Sequence, residues 1–319
     1  MKYLDHKIIK TAFGAFISVL LANYLGIKYG ATAGIVTIIS IQSTKKESLK
    51  IALERFLASF IGLGLSSLLF YFLGFTPLIL GIFILIFMPI CIKFNLFQGF
   101  LVTVVLSTHL LADKSSSLKL LGNEFSILVL GTLVAIILNL YMPKVNNKIR
   151  DTQSGIDDII RKILDRMSSD LKCNCVSIDE EKLFTTLKSK VDLGKSLALT
   201  DYNNDLFGDS TYYMELFSMK RSQYKVLLRM RSHFRHFYLT YNQSLMISNF
   251  TKQVSLSVGK EKLMPELLTA LLELKEIFRE MDLPKTREEF ENRATLFQFL
   301  NDLEDFLIIK NDFMAKHKL

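Results

Sequence analysis

The sequence predicts an all-α protein: a polytopic membrane domain of six transmembrane helices, followed by a cytoplasmic antiparallel helical bundle. Charge distribution is the first observation behind this prediction. Residues 1–143 carry only 16 charged side chains, whereas residues 144–319 carry 54. The first part is too poor in charge for a soluble domain, and the second has an ordinary soluble composition. We therefore expect a transmembrane domain at 1–143 and a cytoplasmic helical-bundle domain at 144–319.

The second observation is a series of apolar runs in the first part of the chain. A helix that crosses a bilayer core of about 30 Å needs roughly 20 mostly apolar residues. Six candidates satisfy or approach this: 8–27, 29–41, 56–75, 78–92, 96–112 and 125–142. The second is short and needs tilt-free packing or local thinning of the bilayer. Cleavage of residues 1–27 as a signal peptide is disfavoured, because the apolar run is long and no small-x-small site precedes Tyr29.

Basic residues in the connecting segments give the orientation. Lysine and arginine concentrate in the N-terminal segment, in the connection after the second apolar run, and after the last run at 144–150. Cytoplasmic loops carry this excess of positive charge. Both ends of the membrane domain are therefore predicted to be cytoplasmic, in a multi-pass protein of the bacterial plasma membrane.

Helical periodicity dominates the second part of the chain. It predicts helices at about 146–172, 179–199, 211–248, 262–282 and 286–316, with a loop at 201–210. Asp179, or Ser177 paired with Glu180, can cap the second of these helices, and Thr286 can cap the last. No segment has the two-residue period of a strand. An antiparallel bundle of four or five long helices fits this pattern.

No catalytic or metal-binding constellation survives inspection. The GKS at 194–196 lacks the glycine that a phosphate-binding loop requires at position 189, and it lacks a preceding strand. His233 and His236 lie among arginines that oppose a second cation. Cys173 and Cys175 have no second cysteine pair. We expect neither an enzyme nor a cofactor or metal.

The segment 220–236 is rich in Lys and Arg, and three interpretations are open. It is a solvated helix face balanced by acidic residues elsewhere, a contact for anionic lipid headgroups, or a contact for nucleic acid. The second part of the chain has 28 basic and 26 acidic residues, which favours the first interpretation. Membrane lipids remain an expected partner, and nucleic acid does not.

Ionisable residues within apolar segments mark candidate functional sites. Arg55 stands where a charged helix start meets an apolar run. Its guanidinium either extends to the lipid headgroups or lines a substrate path, where it can hold a carboxylate with two parallel hydrogen bonds. His109 and Glu124 are expected at an ordinary outer-edge location.

Small residues follow Arg55 on the same predicted helix. Gly62 and Ser66 are four residues apart, a spacing that permits close helix contact, and Gly64 lies between them. We expect these three residues to serve helix packing.

Three stretches carry a resemblance to a known family: YGATAGIVTIISIQSTKKESLKIALERFLASFIGLG, GTLVAIILNLYMP and TREEFENRATLFQFLNDLEDFLIIKNDF. In these the sequence resembles the aromatic acid exporters of Gram-positive bacteria, within the fusaric-acid-resistance-like transporter superfamily. The resemblance covers nearly the whole chain. It implies a six-helix half-unit with a cytoplasmic helical domain, a homo-oligomer, and functional positions at Arg55, Gly62 and Gly64. Glu124 departs from the family pattern, in which a basic residue stands near the start of the last helix.

The combined prediction is a secondary transporter that exports small organic anions, with aromatic carboxylic acids as the leading class. Two alternatives remain open. One is a membrane-anchored scaffold or regulatory protein that acts through its cytoplasmic helical domain, and the other is an anion channel.

Overall fold

The computed structural model describes residues 2–143, 145–173, 180–206, 211–234, 242–260 and 264–318. This described part contains twelve α-helices and no strand, so the all-α prediction is confirmed. The chain divides into two compact units. The first comprises residues 1–143 with 203–207, and the second comprises residues 144–202 and 208–319.

Six helices build the first unit: α1 (Lys2–Tyr24), α2 (Ala31–Ser40), α3 (Lys45–Leu73), α4 (Pro77–Lys93), α5 (Phe97–Asp113) and α6 (Leu118–Leu140). Three helical segments are long and apolar enough to cross a membrane: Lys7–Tyr24 within α1, all of α3, and all of α6. The helices α2, α4 and α5 are apolar but shorter. The arrangement of six spans stays a prediction.

Local sequence sets the ends of these helices. Gly74, with a φ of +93°, ends α3, and the Thr76 side chain accepts a hydrogen bond from Ile79 N at the start of α4. Ser117 caps α6 in the same way by accepting from Leu120 N. The cap lets α6 start at Leu118, well before the apolar run predicted to begin at 125.

Close packing of α3 against α5 and of α2 against α1 and α6 organises the first unit. Fully buried rings of Phe70, Phe83 and Phe87 fill its interior. Large apolar side chains also cover its outside, including Phe60, which is 74% exposed. An apolar outer surface of this extent is typical of a protein that faces lipid.

Six further helices form the second unit: α7 (Asn146–Cys173), α8 (Glu180–Asn204), α9 (Tyr212–His233), α10 (Asn242–Ser257), α11 (Met264–Glu280) and α12 (Arg287–His317). They share one apolar core, to which α7 contributes the buried isoleucines at 149, 156, 160 and 163. Helix α7 packs along α10, and α9 packs along α12. The predicted cap of the last helix is confirmed, because Glu289 N donates to Thr286 Oγ1.

The helix expected at 211–248 corresponds to α9 and α10, and Phe234 after α9 meets the Phe299 ring edge-on. The part of this prediction at 235–241 lies outside the described residues. One prediction for this unit is wrong. The segment 201–210 is not wholly a loop, because α8 continues to Asn204. The predicted capping residues Ser177 and Asp179 lie outside the described residues.

Candidate functional site

Arg55 lies in the middle of the first unit's helix packing, not at its surface. Only 3% of the residue is exposed. Its Nε donates to Gln98 O at 3.2 Å, one terminal nitrogen donates to Ile39 O at 3.0 Å, and the other donates to Ser40 Oγ. The interpretation that this side chain extends to the headgroups is therefore wrong, because protein acceptors of α2 and α5 hold it inside.

These contacts place the guanidinium at the C-terminal end of α2. The last carbonyls of a helix lack intrahelical donors and carry the negative end of the helix dipole. Ile39 lies in the last turn of α2, and its carbonyl also accepts from Gln42 Nε2 at 3.1 Å. A cation is electrostatically favourable at this position. No carboxylate of the described residues lies within 4.0 Å of Arg55.

A guanidinium has five N–H groups. The three hydrogen bonds of Arg55 leave one N–H on each terminal nitrogen without an acceptor among the described residues. Two such N–H groups form the end-on contact of an arginine with a carboxylate. Arg55 is thus a buried cation with remaining capacity for an anion.

A small pocket lies beside the same end of α2. It has a volume of about 50 Å³ and is lined by Lys7, Lys10, Ile41, Gln42, Ser43, Met142 and Pro143. Gln42 joins this pocket to the Arg55 contacts, because it shares the Ile39 carbonyl acceptor. The two lysines that line this pocket supply positive charge near Arg55, and its volume is too small to hold a whole aromatic acid.

Helix α3, which carries Arg55, packs closely against its neighbours. A Cβ added at Gly62 would lie 2.3 Å from Thr103 Cγ2 and 2.6 Å from Phe87 Cζ. Ser66 is fully buried and accepts a hydrogen bond from Ser107 at 3.1 Å. A Cβ at Gly64, in contrast, would meet nothing within 4 Å among the described residues. Gly62 and Ser66 therefore lie on the packed side of α3, and Gly64 does not.

A second polar cluster lies around the N-terminal end of α2. Glu124 of α6 is completely buried, and its Oε2 lies 2.6 Å from His109 Nδ1 of α5. The other imidazole nitrogen lies 3.3 Å from Thr32 Oγ1. Asn123 Nδ2 donates to Glu124 Oε1 at 3.1 Å. His109 and Glu124 are thus buried between helices, because the early start of α6 brings the carboxylate inside, and their location at the outer edge of the membrane stays a prediction.

The cluster continues into the connection between α1 and α2. The Tyr29 ring stacks on the His109 ring with centroids 4.1 Å apart, and its hydroxyl donates to Asp113 Oδ1 at 2.8 Å. Lys28 Nζ lies 2.6 Å from Asp113 Oδ2. Its hydrogen bond to this carboxylate raises the pKa of Lys28, so the amine stays charged. An open pocket of about 620 Å³ adjoins these residues and is also lined by Asn123.

His109 and Glu124 were identifiable in the sequence as ionisable residues of apolar segments, but their association was not. His109 and Glu124 are 15 residues apart and lie on different helices. A usable signal was present: two ionisable residues within neighbouring apolar runs, on the same predicted side of the membrane. Pairing of such residues removes an isolated buried charge, which is costly.

The basic segment of the second unit is engaged in internal ion pairs. Lys220 contacts Asp157 at 2.6 Å in a buried pair. Arg229 and His233 both contact Asp302 at 2.9 Å. Acidic residues of the same unit therefore balance these basic residues, as the first interpretation expects, although Lys220 is buried and not solvated. Among the described residues, no group of three His, Cys, Asp or Glu side chains could hold a metal ion.

Family comparison matches both parts of the chain. Residues 2–142 match the model described as "Aromatic acid exporter family member 1". Residues 146–311 match the model of the aromatic acid exporter C-terminal domain. The two matches leave only a few residues between them, close to the boundary between the two compact units.

Individual proteins similar to this chain include two from Bacillus subtilis and one of known structure. Uncharacterized protein YqjA of Bacillus subtilis (strain 168) is 29% identical over 310 residues, covering 97% of this chain and 96% of that protein. UPF0421 protein YgaE of the same organism is 25% identical over 215 residues, covering 66% and 60% respectively. A crystal structure from Clostridium difficile 630, described as a membrane protein, is 24% identical with a TM-score of 0.48. It covers 52% of this chain and 99% of its own.

Proposed function

Because the chain belongs to the aromatic acid exporter family, whose membership indicates a membrane transporter, we propose that it exports small organic anions, with aromatic carboxylates as the substrate class. In this proposal residues 1–143 form six transmembrane helices with both ends cytoplasmic, and residues 144–319 form a cytoplasmic helical domain. The protein works as a homo-oligomer in the bacterial plasma membrane, in contact with lipid.

The observation that carries this proposal is the buried, incompletely bonded guanidinium of Arg55. A buried cation without a counter-ion is unfavourable unless something compensates it. The α2 carbonyls compensate it partly, and a substrate carboxylate would complete the hydrogen bonding. The lysines of the neighbouring pocket, Lys7 and Lys10, attract the anion from the side predicted to be cytoplasmic.

Export of an anion is energetically feasible without ATP. Moving one negative charge out of a cell whose interior is negative by about 100 mV gains roughly 2.3 kcal/mol. That free energy supports an outward concentration gradient of about fifty-fold. A potential-driven carrier is therefore sufficient for export.

Flux in proteoliposomes tests the proposal. The purified full chain is reconstituted, a potassium-diffusion potential is imposed, and labelled aromatic and aliphatic carboxylates of equal charge are compared. We expect potential-driven movement of the aromatic compounds. Arg55→Ala should reduce this movement at least tenfold, because one charge-assisted hydrogen-bond contact is worth about 1.5–3 kcal/mol.

Three variants separate binding from folding. Lys50→Ala removes an exposed cation five residues away on α3 and should retain flux. Ser40→Ala removes one acceptor of Arg55 but keeps the cation, so substrate transport should persist. Size-exclusion profiles report whether each variant is folded. Undiminished flux in folded Arg55→Ala protein would contradict the carboxylate contact.

A regulatory or scaffold role is the second candidate function. The second unit, with six helices and its own apolar core, favours it, because this unit is larger than a simple anchor requires. Deletion of residues 151–319 distinguishes the two candidates. A transporter that retains flux after this deletion uses the second unit for regulation, whereas a scaffold shows no flux with or without it. Channel-like conductance of the full chain would favour the anion channel instead.

A further inference from the structure

We propose that the buried Glu124–His109 pair is a proton-binding site that couples anion export to proton entry. The inference rests on the proposed transport function and adds the coupling ion to it. Its physical basis is a carboxylate and an imidazole in hydrogen-bond contact at 2.6 Å, inside a unit built of apolar helices.

The pair is almost fully enclosed. The Glu124 side chain is 0% exposed, and the His109 side chain is 12% exposed. In this proposal the proton reaches the pair through His109, and the open pocket is lined by Asp113, whose partner Tyr29 stacks on the His109 ring. Asn123 lines that pocket and donates to the other oxygen of Glu124, which fixes the carboxylate toward the imidazole.

Binding of one proton changes the net charge of the Glu124–His109 pair. With neutral imidazole and ionised carboxylate, the pair has a net charge of −1, and uptake of one proton brings it to zero. In the −1 state the imidazole's own proton already lies in the Nδ1–Oε2 contact, so the added proton binds Nε2, which faces Thr32 Oγ1, and no other co-reactant is required. A buried net charge is costly in an apolar bundle, so proton uptake and release change the stability of the surrounding helix arrangement.

The neighbouring charged groups do not neutralise the pair. Asp113 and Lys28 form their own contact at 2.6 Å, and Tyr29 donates to Asp113. These two charges cancel, and the pair retains its own. Among the described residues, neither α1 nor α3 brings a charged side chain into hydrogen-bond contact with Glu124 or His109.

Helix α2 connects this site to Arg55. Thr32 near its first turn contacts His109, and Ile39 and Ser40 in its last turn accept from Arg55. The helix dipole favours negative charge at the first end and positive charge at the second. Protonation of the pair removes negative charge at the first end of α2, and an anion neutralises Arg55 at the second end. Either event weakens the favourable interaction between a charge and the helix dipole at that end. Proton and anion occupancy thereby act on the same ten-residue helix.

The test uses the full chain in proteoliposomes of phosphatidylethanolamine and phosphatidylglycerol, with labelled benzoate as the probe. Two modes are compared: counterflow at equal pH and zero potential, and accumulation driven by a pH gradient at zero potential. Protein-free vesicles provide the background of passive benzoate permeation. With one proton exchanged per anion, wild type should concentrate benzoate on the acidic side by up to about tenfold per pH unit, opposite to the alkaline-side accumulation that passive benzoic acid permeation gives in protein-free vesicles.

Glu124→Gln and His109→Gln should retain counterflow and lose the pH-driven accumulation. Their benzoate accumulation ratio should fall to that of protein-free vesicles. The matched control is Glu47→Gln, which removes an exposed carboxylate of α3 and should behave as wild type. pH-driven accumulation that persists in folded Glu124→Gln or His109→Gln protein would overturn the proposal. So would wild-type counterflow with no response to the pH gradient.

Infrared difference spectroscopy on acidification gives a readout that needs no transported substrate. Bands of a protonated imidazole or of a carboxylic acid that appear in wild type and are missing in Glu124→Gln and His109→Gln support the proton site, and a wild-type spectrum that shows neither band on acidification overturns it. Absence of benzoate counterflow in wild type and all variants would contradict the proposed substrate, and the infrared result would then still decide proton binding. Failure of the transport function and failure of the coupling inference are thus distinguishable.

Discussion

Gly62 and Gly64 form a matched pair on α3 that tests the helix packing around Arg55. Both are glycines in the interior of one helix, two residues apart, so Gly→Ala gives each the same gain in helix propensity of about 1 kcal/mol. Their surroundings differ. At Gly62 the new methyl would lie 2.3 Å from Thr103 Cγ2, and at Gly64 it would meet nothing within 4 Å.

The contacts of Gly62 have little freedom to move aside. Thr103 is β-branched, and its hydroxyl is held by Gly99 O at 2.8 Å and Ser59 Oγ at 2.9 Å. The Phe87 ring is fully buried and stacks on Phe83. Adding a methyl to such a site costs about 1–3 kcal/mol. Because the propensity gain cancels in the comparison, the stability of the two variants should differ by about this amount.

The assay is thermal unfolding of the detergent-solubilised full chain, followed by size-exclusion chromatography after heating. Gly64→Ala should match or exceed wild type, and Gly62→Ala should unfold at a lower temperature than Gly64→Ala. Equal unfolding temperatures for the two variants would refute the packing argument. A Gly64→Ala variant that is the less stable of the two would show that Gly64 faces a partner, such as a second subunit.

Two further predictions concern the second unit. Lys220→Met leaves the buried Asp157 carboxylate unpaired and should cost about 3–5 kcal/mol in denaturant unfolding followed by circular dichroism. Lys252→Met, which breaks an exposed ion pair, should cost at most about 1 kcal/mol, and equal losses would contradict the burial argument. The hydrogen bond from Lys316 is the main cause that lowers the pKa of Glu215 to about 2 from its ordinary 4.5. Its carboxylate therefore stabilises the fold above pH 4.5, and this contribution is lost as the pH falls toward 2. Glu215→Gln should flatten that part of the acid-unfolding curve, and an unchanged curve would exclude the contribution.

Fold class was accessible from the sequence because it depends on one-dimensional patterns. The contrast between 16 and 54 charged residues divides the chain, and helical periodicity identifies α7, α11 and α12 closely. The cap of α12 by Thr286 was predictable because a capping interaction joins residues only three apart.

The candidate site was only partly predictable. Arg55 stood out as a cation within an apolar run, but its acceptors lie on α2 and α5, 15 to 43 residues away in the chain. No local pattern reports which carbonyls a side chain meets across a helix packing. The Glu124–His109 contact was missed for the same reason, and because the Ser117 cap starts α6 earlier than its apolar run suggests.

The shortness of α2 has a consequence for the electric field in the membrane. Ten residues at 1.5 Å per residue give a helix of about 15 Å, half the thickness of the hydrocarbon layer. In the proposed topology a polar cluster adjoins each end of this helix, so the insulating layer at α2 is about half as thick as elsewhere. A given membrane voltage then falls across half the distance, and the local field is about doubled. In that topology the dielectric barrier to a charged species would be lowest along α2, and voltage would act most strongly on the protein there.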